Sequence, residues 1–129
     1  MRSLSLLVQP QGMAVIHHLA MRTRELERLV AFYESWFGLR VVREARPRSV
    51  WLELGPGAVL MLEAAELDEP GVPEGSRELV ALAVSVGERE QLREKLVAAG
   101  RLEGETQHTL YFRDPDGRRV GASSYPLAR

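Results

Sequence analysis

Two adjacent histidines near the start of the chain, His17 and His18, are the side chains best suited to proton transfer. The pKa of a free histidine is about 6.5, so an imidazole can act as a general base at neutral pH. In the strand-like run around them, Leu19 and Met21 should pack under a helix, which leaves His18 on the opposite face of the strand. We therefore take His18 as the candidate catalytic residue. The alternative is a structural, hydrogen-bonded histidine.

The same alternation gathers aromatic, charged and thioether side chains on the face turned away from the helices. These predicted ligand-binding residues are Arg22, Trp51, Glu53, Met61, Glu63, Tyr111 and Arg113. Trp51 and Tyr111 could stack on a flat ligand, and Arg22 and Arg113 could bind a carboxylate. Such a set is typical of a small-molecule pocket. In the alternative interpretation the rings fill a closed interior or a dimer interface. Arg22–Glu53 and Arg113–Glu63 are then plain cross-strand ion pairs.

Hydrophobic spacing predicts the elements that position these side chains. A strand at 15–23 leads into a helix at 24–37 that carries one apolar stripe. Thr23 is the expected N-terminal cap of this helix, and Gly38 follows its last turn. Three further strands are predicted, at 39–44, 49–54 and 58–64.

After a polar linker at 65–78 the same order of elements repeats. Gly100 ends the second helix as Gly38 ends the first, and a turn at 114–117 (Asp-Pro-Asp-Gly) separates the last two strands. The predicted elements are a strand at 79–86, a helix at 88–99, and strands at 102–106, 109–113 and 118–125. This repetition predicts an α+β fold built from two βαβββ modules.

The length of 129 residues, the net charge of −1 and the absence of cysteine limit the classes of function. The length fits one domain, which we place at residues 13–126 behind a tail at 1–12. The near-neutral charge argues against nucleic acid as a partner, and no apolar run is long enough to cross a membrane. Without cysteine there can be no disulfide or cysteine-bound zinc, and the expected location is the cytoplasm.

Three segments carry a resemblance to a known family. They read Ile-His-His-Leu-Ala-Met-Arg at 16–22, Phe-Tyr-Glu-Ser-Trp-Phe-Gly-Leu-Arg-Val-Val at 32–42, and Leu-Tyr-Phe-Arg-Asp-Pro-Asp-Gly-Arg-Arg-Val at 110–120. Together they resemble the vicinal-oxygen-chelate superfamily of glyoxalases, bleomycin-resistance proteins and extradiol dioxygenases. The resemblance implies modules at 13–64 and 79–126 that form a curved, cup-shaped mixed sheet. In this family the modules pair either within one chain or across a dimer. Each half presents an open sheet edge, which the family usually covers by dimerising, so we expect a homodimer.

The resemblance also implies where metal ligands would lie. The four ligand positions of the family fall on His18, Met61, Leu79 and Gly121. Of these only the histidine suits a hard divalent ion, which prefers carboxylate, imidazole and water. We therefore expect no metal cofactor. The alternative is one divalent metal ion held by His18, a relocated Glu63 and a third group.

Two functional hypotheses follow from the resemblance and the missing ligands. In the first, the chain resembles the bleomycin-resistance branch and binds a small, aromatic or acidic molecule in the cup without a metal. In the second, it is a metal-dependent lyase, isomerase or dioxygenase that uses His18 and Glu63. A third possibility is a partner-binding module with a filled cup, and fold alone does not choose among them.

Overall fold

The computed structural model describes residues 14–127 and contains two successive modules of the same order. The first comprises β1 (His18–Thr23), α1 (Leu26–Phe37), β2 (Val41–Ala45), β3 (Ser49–Glu53) and β4 (Val59–Ala64). The second comprises β5 (Leu79–Ala83), α2 (Val86–Ala98), β6 (Gly104–Glu105), β7 (Thr109–Arg113) and β8 (Arg119–Ser123). The α+β class and the two βαβββ modules are therefore confirmed. The predicted tail at 1–12 lies outside the described residues.

Each module forms its own four-stranded mixed sheet, in the orders β1-β4-β3-β2 and β5-β8-β7-β6. In each sheet the first and last strands of the module pair in parallel, and the other pairs are antiparallel. Within residues 14–127 no strand of one sheet pairs with a strand of the other. One chain therefore presents two sheets, each with one face free of helices, and the cup is not closed by strand pairing inside the chain.

Helix α1 forms because a stripe of apolar residues (Leu26, Leu29, Val30, Tyr33) is spaced to face the sheet, and all four are buried. Gly38 ends the helix in the left-handed conformation with φ of 67°, as predicted. The prediction that Thr23 caps the helix is wrong. Glu25 occupies the cap position, and its side chain makes no capping hydrogen bond. The Thr23 hydroxyl instead accepts from the Glu25 amide at 3.0 Å, and Thr23 lies two residues before the cap position.

Helix α2 begins two residues earlier than the sequence predicted. Ser85 and Glu88 form a capping box, in which the Glu88 amide donates to the Ser85 hydroxyl at 3.1 Å and the Ser85 amide donates to the Glu88 carboxylate at 2.7 Å. This reciprocal pair satisfies two amides that the first turn would otherwise leave unpaired. The predicted strand at 102–106 is shorter than expected, since only Gly104–Glu105 pairs with β7.

One hydrophobic core serves both modules. Most strand residues that face the helices are buried, as the alternation predicted, and eight of them are at most 1% exposed: Val50, Leu52, Leu60, Leu62, Leu110, Phe112, Val120 and Ala122. Phe112 of the second module packs among rings of α1, with centroid distances of 6.0 Å to Phe32, 6.1 Å to Trp36 and 5.6 Å to Phe37. The modules are therefore joined through their helix sides, which leaves the opposite face of each sheet open. No helix within residues 14–127 is long and apolar enough to cross a membrane.

Candidate functional site

The open face of the first sheet carries the side chains that the alternation predicted for it. His18 and Arg22 are exposed on β1, while Trp51, Met61 and Glu63 are half-buried on β3 and β4. The alternating neighbours Met21, Val50, Leu52, Leu60 and Leu62 are buried in the core, whereas Leu19 beside His18 is only partly buried. On the second sheet Tyr111 and Arg113 take the corresponding side of β7. The predicted residues thus lie on open faces, but they are divided between two sheets that share no strand pairing.

His18 is exposed and hydrogen-bonds to its neighbour along the chain. Its Nδ1 lies 3.0 Å from Nδ1 of His17, so the N–H of one ring donates a hydrogen bond to the other ring. Within residues 14–127 no carboxylate forms an ion pair with either imidazole. A catalytic histidine is usually oriented by a carboxylate or carbonyl on its second ring nitrogen. Among residues 14–127 His18 has no such partner.

The strand register separates His18 from Glu63. β1 and β4 run parallel, with His18 opposite Val59 and Arg22 opposite Glu63. The Cα atoms of the two candidate ligands are therefore offset by four residues along the strand direction, or roughly 13 Å. A metal ion needs its ligands about 2 Å away, so these two side chains do not meet at one ion within the chain.

The positions that the family resemblance assigns to metal ligands also fail to fit a metal. Met61 offers a thioether, Leu79 a branched alkyl group and Gly121 no side chain. At Gly121 an added Cβ would lie 3.3 Å from Ala81 Cβ and 3.5 Å from Leu79 Cδ1, so the alkyl group packs over the glycine. Among the described residues no group of three or more His, Cys, Asp or Glu side chains is placed to hold a metal ion.

Arg22 is bound by a residue of the linker rather than left open. Its Nε and Nη2 donate to the two carboxylate oxygens of Glu69, both at 2.9 Å, in the side-on geometry typical of arginine and carboxylate. Glu63 lies further away, at 3.5 Å from Nη1. The hydrogen bonds from Arg22, with the backbone amide of Glu66, lower the pKa of Glu69 to about 2. The predicted Arg22–Glu53 pair does not form, because Glu53 pairs with Arg40 at 2.5 Å.

Arg113 is also held by its surroundings. Its Nε donates to Glu103 at 2.7 Å, and its Nη1 donates to the carbonyls of Ser76 in the linker and of Gly117. The Glu103 carboxylate has a lowered pKa, mainly because it accepts this bond. The predicted Arg113–Glu63 pair is absent, since the two residues belong to different sheets. Both predicted carboxylate-binding arginines thus contact the linker at 65–78.

Each open face pairs an aromatic ring with a guanidinium that was not predicted. Arg43 lies over Trp51 at 4.8 Å from the ring centroid, and Arg119 lies over Tyr111 at 4.4 Å. The alternation along β8 would have identified Arg119, because it lies two residues before Gly121. Arg43 had no such signal, because the register of β2 shifts between Val41 and Arg43. A bulge of this kind re-aims a side chain in a way that counting residues does not reveal.

Comparisons with known proteins agree with this fold. A family model described as the Glyoxalase/Bleomycin resistance protein/Dioxygenase superfamily matches residues 15–121. No curated protein matches the chain. Lactoylglutathione lyase from Agrobacterium tumefaciens is similar in structure, with a TM-score of 0.68, 21% identity, and coverage of 88% of this chain and 95% of that chain.

Two further structures show the same likeness. A possible glyoxalase from Bacillus cereus has a TM-score of 0.72 at 19% identity, covering 86% of this chain and 99% of its own. The fosfomycin resistance protein FosX from Listeria monocytogenes, in complex with Mn(II) and 1S,2S-dihydroxypropylphosphonic acid, has a TM-score of 0.71 at 14% identity, with 89% and 95% covered. At such identities the likeness concerns the fold and not the chemistry.

Proposed function

The chain belongs to the glyoxalase/bleomycin resistance protein/dioxygenase superfamily, and on that premise we propose that it binds a small aromatic or acidic molecule without a resident metal ion. The observation that carries this proposal is the set of side chains at the ligand positions, where Met61, Leu79 and Gly121 replace metal donors. His18 and Glu63 lie too far apart to compensate. These positions therefore do not supply the set of side chains that a bound metal ion needs.

The pairing of Trp51 with Arg43 supports the class of ligand. Arg43 is exposed and forms no ion pair with a carboxylate within residues 14–127. A flat molecule can stack on the indole while an acidic group on it binds the guanidinium. Arg22 and Arg113 contribute less, because the linker already occupies them. We therefore assign the binding of the ligand's acidic group to Arg43 rather than to Arg22 or Arg113.

A second copy of the chain would complete this binding site. The open face of β5 exposes Leu79 to 39%, with Ala81 and Ala83 exposed beside it. Apolar strand faces of this kind are normally covered by another element. In the proposed homodimer the open face of one chain lies opposite an open face of its partner, and the ligand lies between them. The cytoplasmic location stays a prediction.

The test is ligand binding with and without metal. In the Trp36→Phe variant Trp51 is the only tryptophan, and benzoate should quench its emission in EDTA-treated protein. Arg43→Gln should weaken this binding about tenfold through loss of a charge-assisted bond. Adding Mn²⁺, Fe²⁺, Ni²⁺ or Zn²⁺ should change nothing, either here or in a His18→Ala control. Binding that requires a metal and disappears in the His18→Ala variant would overturn the proposal.

A further inference from the structure

A separate cavity lies on the helix side of the molecule, where the two modules meet. It has a volume of about 560 Å³, is about half open to solvent, and is lined by the end of α1, the turn after β3, the end of β5 and one side of α2. Small-molecule sites in proteins commonly have volumes of roughly 300–1,000 Å³. None of the predicted ligand-binding residues, including Trp51, lines it, and of the open-face residues named above only Ala83, at the end of β5, does so. The cavity is therefore distinct from the site proposed for the open faces.

The walls of this cavity are mainly apolar and come from both modules. The first module contributes two aromatic side chains and two leucines, and the second contributes the end of β5 and a leucine of α2: Trp36, Phe37, Leu39, Leu54, Leu82, Val84 and Leu92. Trp36 and Phe37 are only partly buried, so their rings are accessible from the cavity. An apolar or aromatic group would bury surface against these walls.

Lys95, the only lysine of the chain, supplies a cation at the rim. Its ammonium lies 4.9 Å from the centroid of the Trp36 ring and donates to the Ser35 carbonyl at 3.3 Å. Among residues 14–127 it forms no ion pair, and its side chain is exposed. Of the described residues that line the cavity, Glu88 alone carries a carboxylate, and it is bound to the Ser85 amide at the start of α2. The rim thus offers a cation without a bound anion.

We propose that this cavity binds a small amphipathic carboxylate, with its apolar body on Trp36 and the leucines and its carboxylate on Lys95. The apolar walls provide the affinity for the body of the ligand, and the single free ammonium selects an anionic head. The residues come from α1 and α2 on the two modules, so a bound molecule would also bridge them.

Tryptophan fluorescence tests this site independently of the open faces. The Trp51→Phe variant keeps Trp36 as the only tryptophan. Titration with 4-phenylbutyrate should change its emission saturably, and the neutral amide 4-phenylbutyramide should bind more weakly. Lys95→Met should weaken 4-phenylbutyrate binding about tenfold and leave amide binding unchanged, because it removes the ammonium and keeps an unbranched apolar side chain.

A second variant keeps the lysine and changes only its surroundings. Gln91 lines the cavity one helical turn before Lys95, and both are exposed, so Gln91→Glu should fold normally and pair with the ammonium. It should weaken carboxylate binding in the same way. The proposal is overturned if 4-phenylbutyrate leaves the Trp36 emission unchanged, or if both variants bind it as well as the parent. It is also overturned if Trp36 responds only to protein concentration, which would indicate a second copy in the cavity. Benzoate binding at Trp51 is unaffected by any of these outcomes.

Discussion

The buried carboxylate of Asp114 connects the two modules. It is 3% exposed and accepts from the Tyr33 hydroxyl of α1 at 2.9 Å. Its other bonds come from the Arg118 side chain at 3.0 Å and from the backbone amides of Asp116 and Arg118 at 2.9 and 3.0 Å. The sequence predicted only a turn here. The turn is present, but its first residue also fastens the second module to the first helix.

Removing this carboxylate should destabilise the fold more than removing the hydroxyl that binds it. We expect Asp114→Asn to lower the free energy of unfolding by about 3 kcal/mol, because a buried ion pair loses one partner. Tyr33→Phe should cost about 1–2 kcal/mol, since Asp114 keeps its other donors. Asp116→Asn is the control, with a cost below about 1 kcal/mol. Urea unfolding followed by circular dichroism measures all three, and equal losses at Asp114 and Asp116 would contradict the assignment.

The same pair predicts a pH dependence. Burial raises the pKa of Tyr33 well above its ordinary value of 10, and the nearby Asp114 carboxylate adds to this effect. Because the unfolded chain ionises first, stability from this group is complete below about pH 10 and is lost as the pH rises beyond it. The Tyr33→Phe variant lacks this component of the alkaline loss.

The linker at 65–78 is the element that changes the interpretation of the site. Glu69 binds Arg22 of the first module, and its backbone carbonyl also accepts from Arg24. Further along, the Ser76 carbonyl accepts from Arg113 of the second module at 2.6 Å. The linker is therefore tied to β1 and to β7, at a site on each sheet. An irregular segment with such contacts opens less readily than one without them.

Glu69→Gln should loosen the linker without unfolding the domain. The variant loses the ion pair with Arg22, so deuterium exchange of peptides from 65–78 should become faster. Glu74→Gln is the matched control, because Glu74 is exposed in the same linker and has no ion pair among the described residues. Since the pKa of Glu69 is lowered to about 2, the contact is complete above about pH 4.5 and is lost as the pH falls toward 2. Equal exchange in both variants would show that the ion pair does not hold the linker.

At the scale of the whole molecule, the joined helix sides leave the two sheet faces uncovered. The two sheets are joined through α1 and Phe112 on their helix sides. Their strands do not pair with each other among the described residues, and the opposite face of each sheet stays open. In the assembly we propose, a second chain closes the cup. This geometry is the reason we propose a homodimer with the ligand between copies.

A charge placed on the open face should separate the dimer. Ala81 is exposed on β5 beside Leu79, and Ala81→Glu would put an unpaired carboxylate into the proposed interface. Sedimentation velocity should then show a 14.5 kDa monomer where the parent chain sediments as a dimer. Ala31→Glu, on the exposed side of α1, should leave the dimer intact. A parent chain that is monomeric at all concentrations would contradict this assembly.

The sequence by itself determined which residues are buried and how the elements follow one another. Burial depends on local periodicity, so the alternation in β3, β4 and β7 predicted the buried Leu52, Leu62 and Phe112 correctly. The stripe on α1 and Gly38 predicted the first helix for the same reason. The repeated order of elements then predicted the α+β fold and its two modules.

Only the tertiary structure decided which side chains meet across the site. Arg22 and Glu69 are 47 residues apart, and their pairing depends on the path of the linker, which no local pattern specifies. The bulge in β2 brings Arg43 onto Trp51, and the parallel register of β1 and β4 separates His18 from Glu63. Periodicity reports the direction of a side chain, whereas its partner is set by register, bulges and loop paths that form only when distant segments pack together.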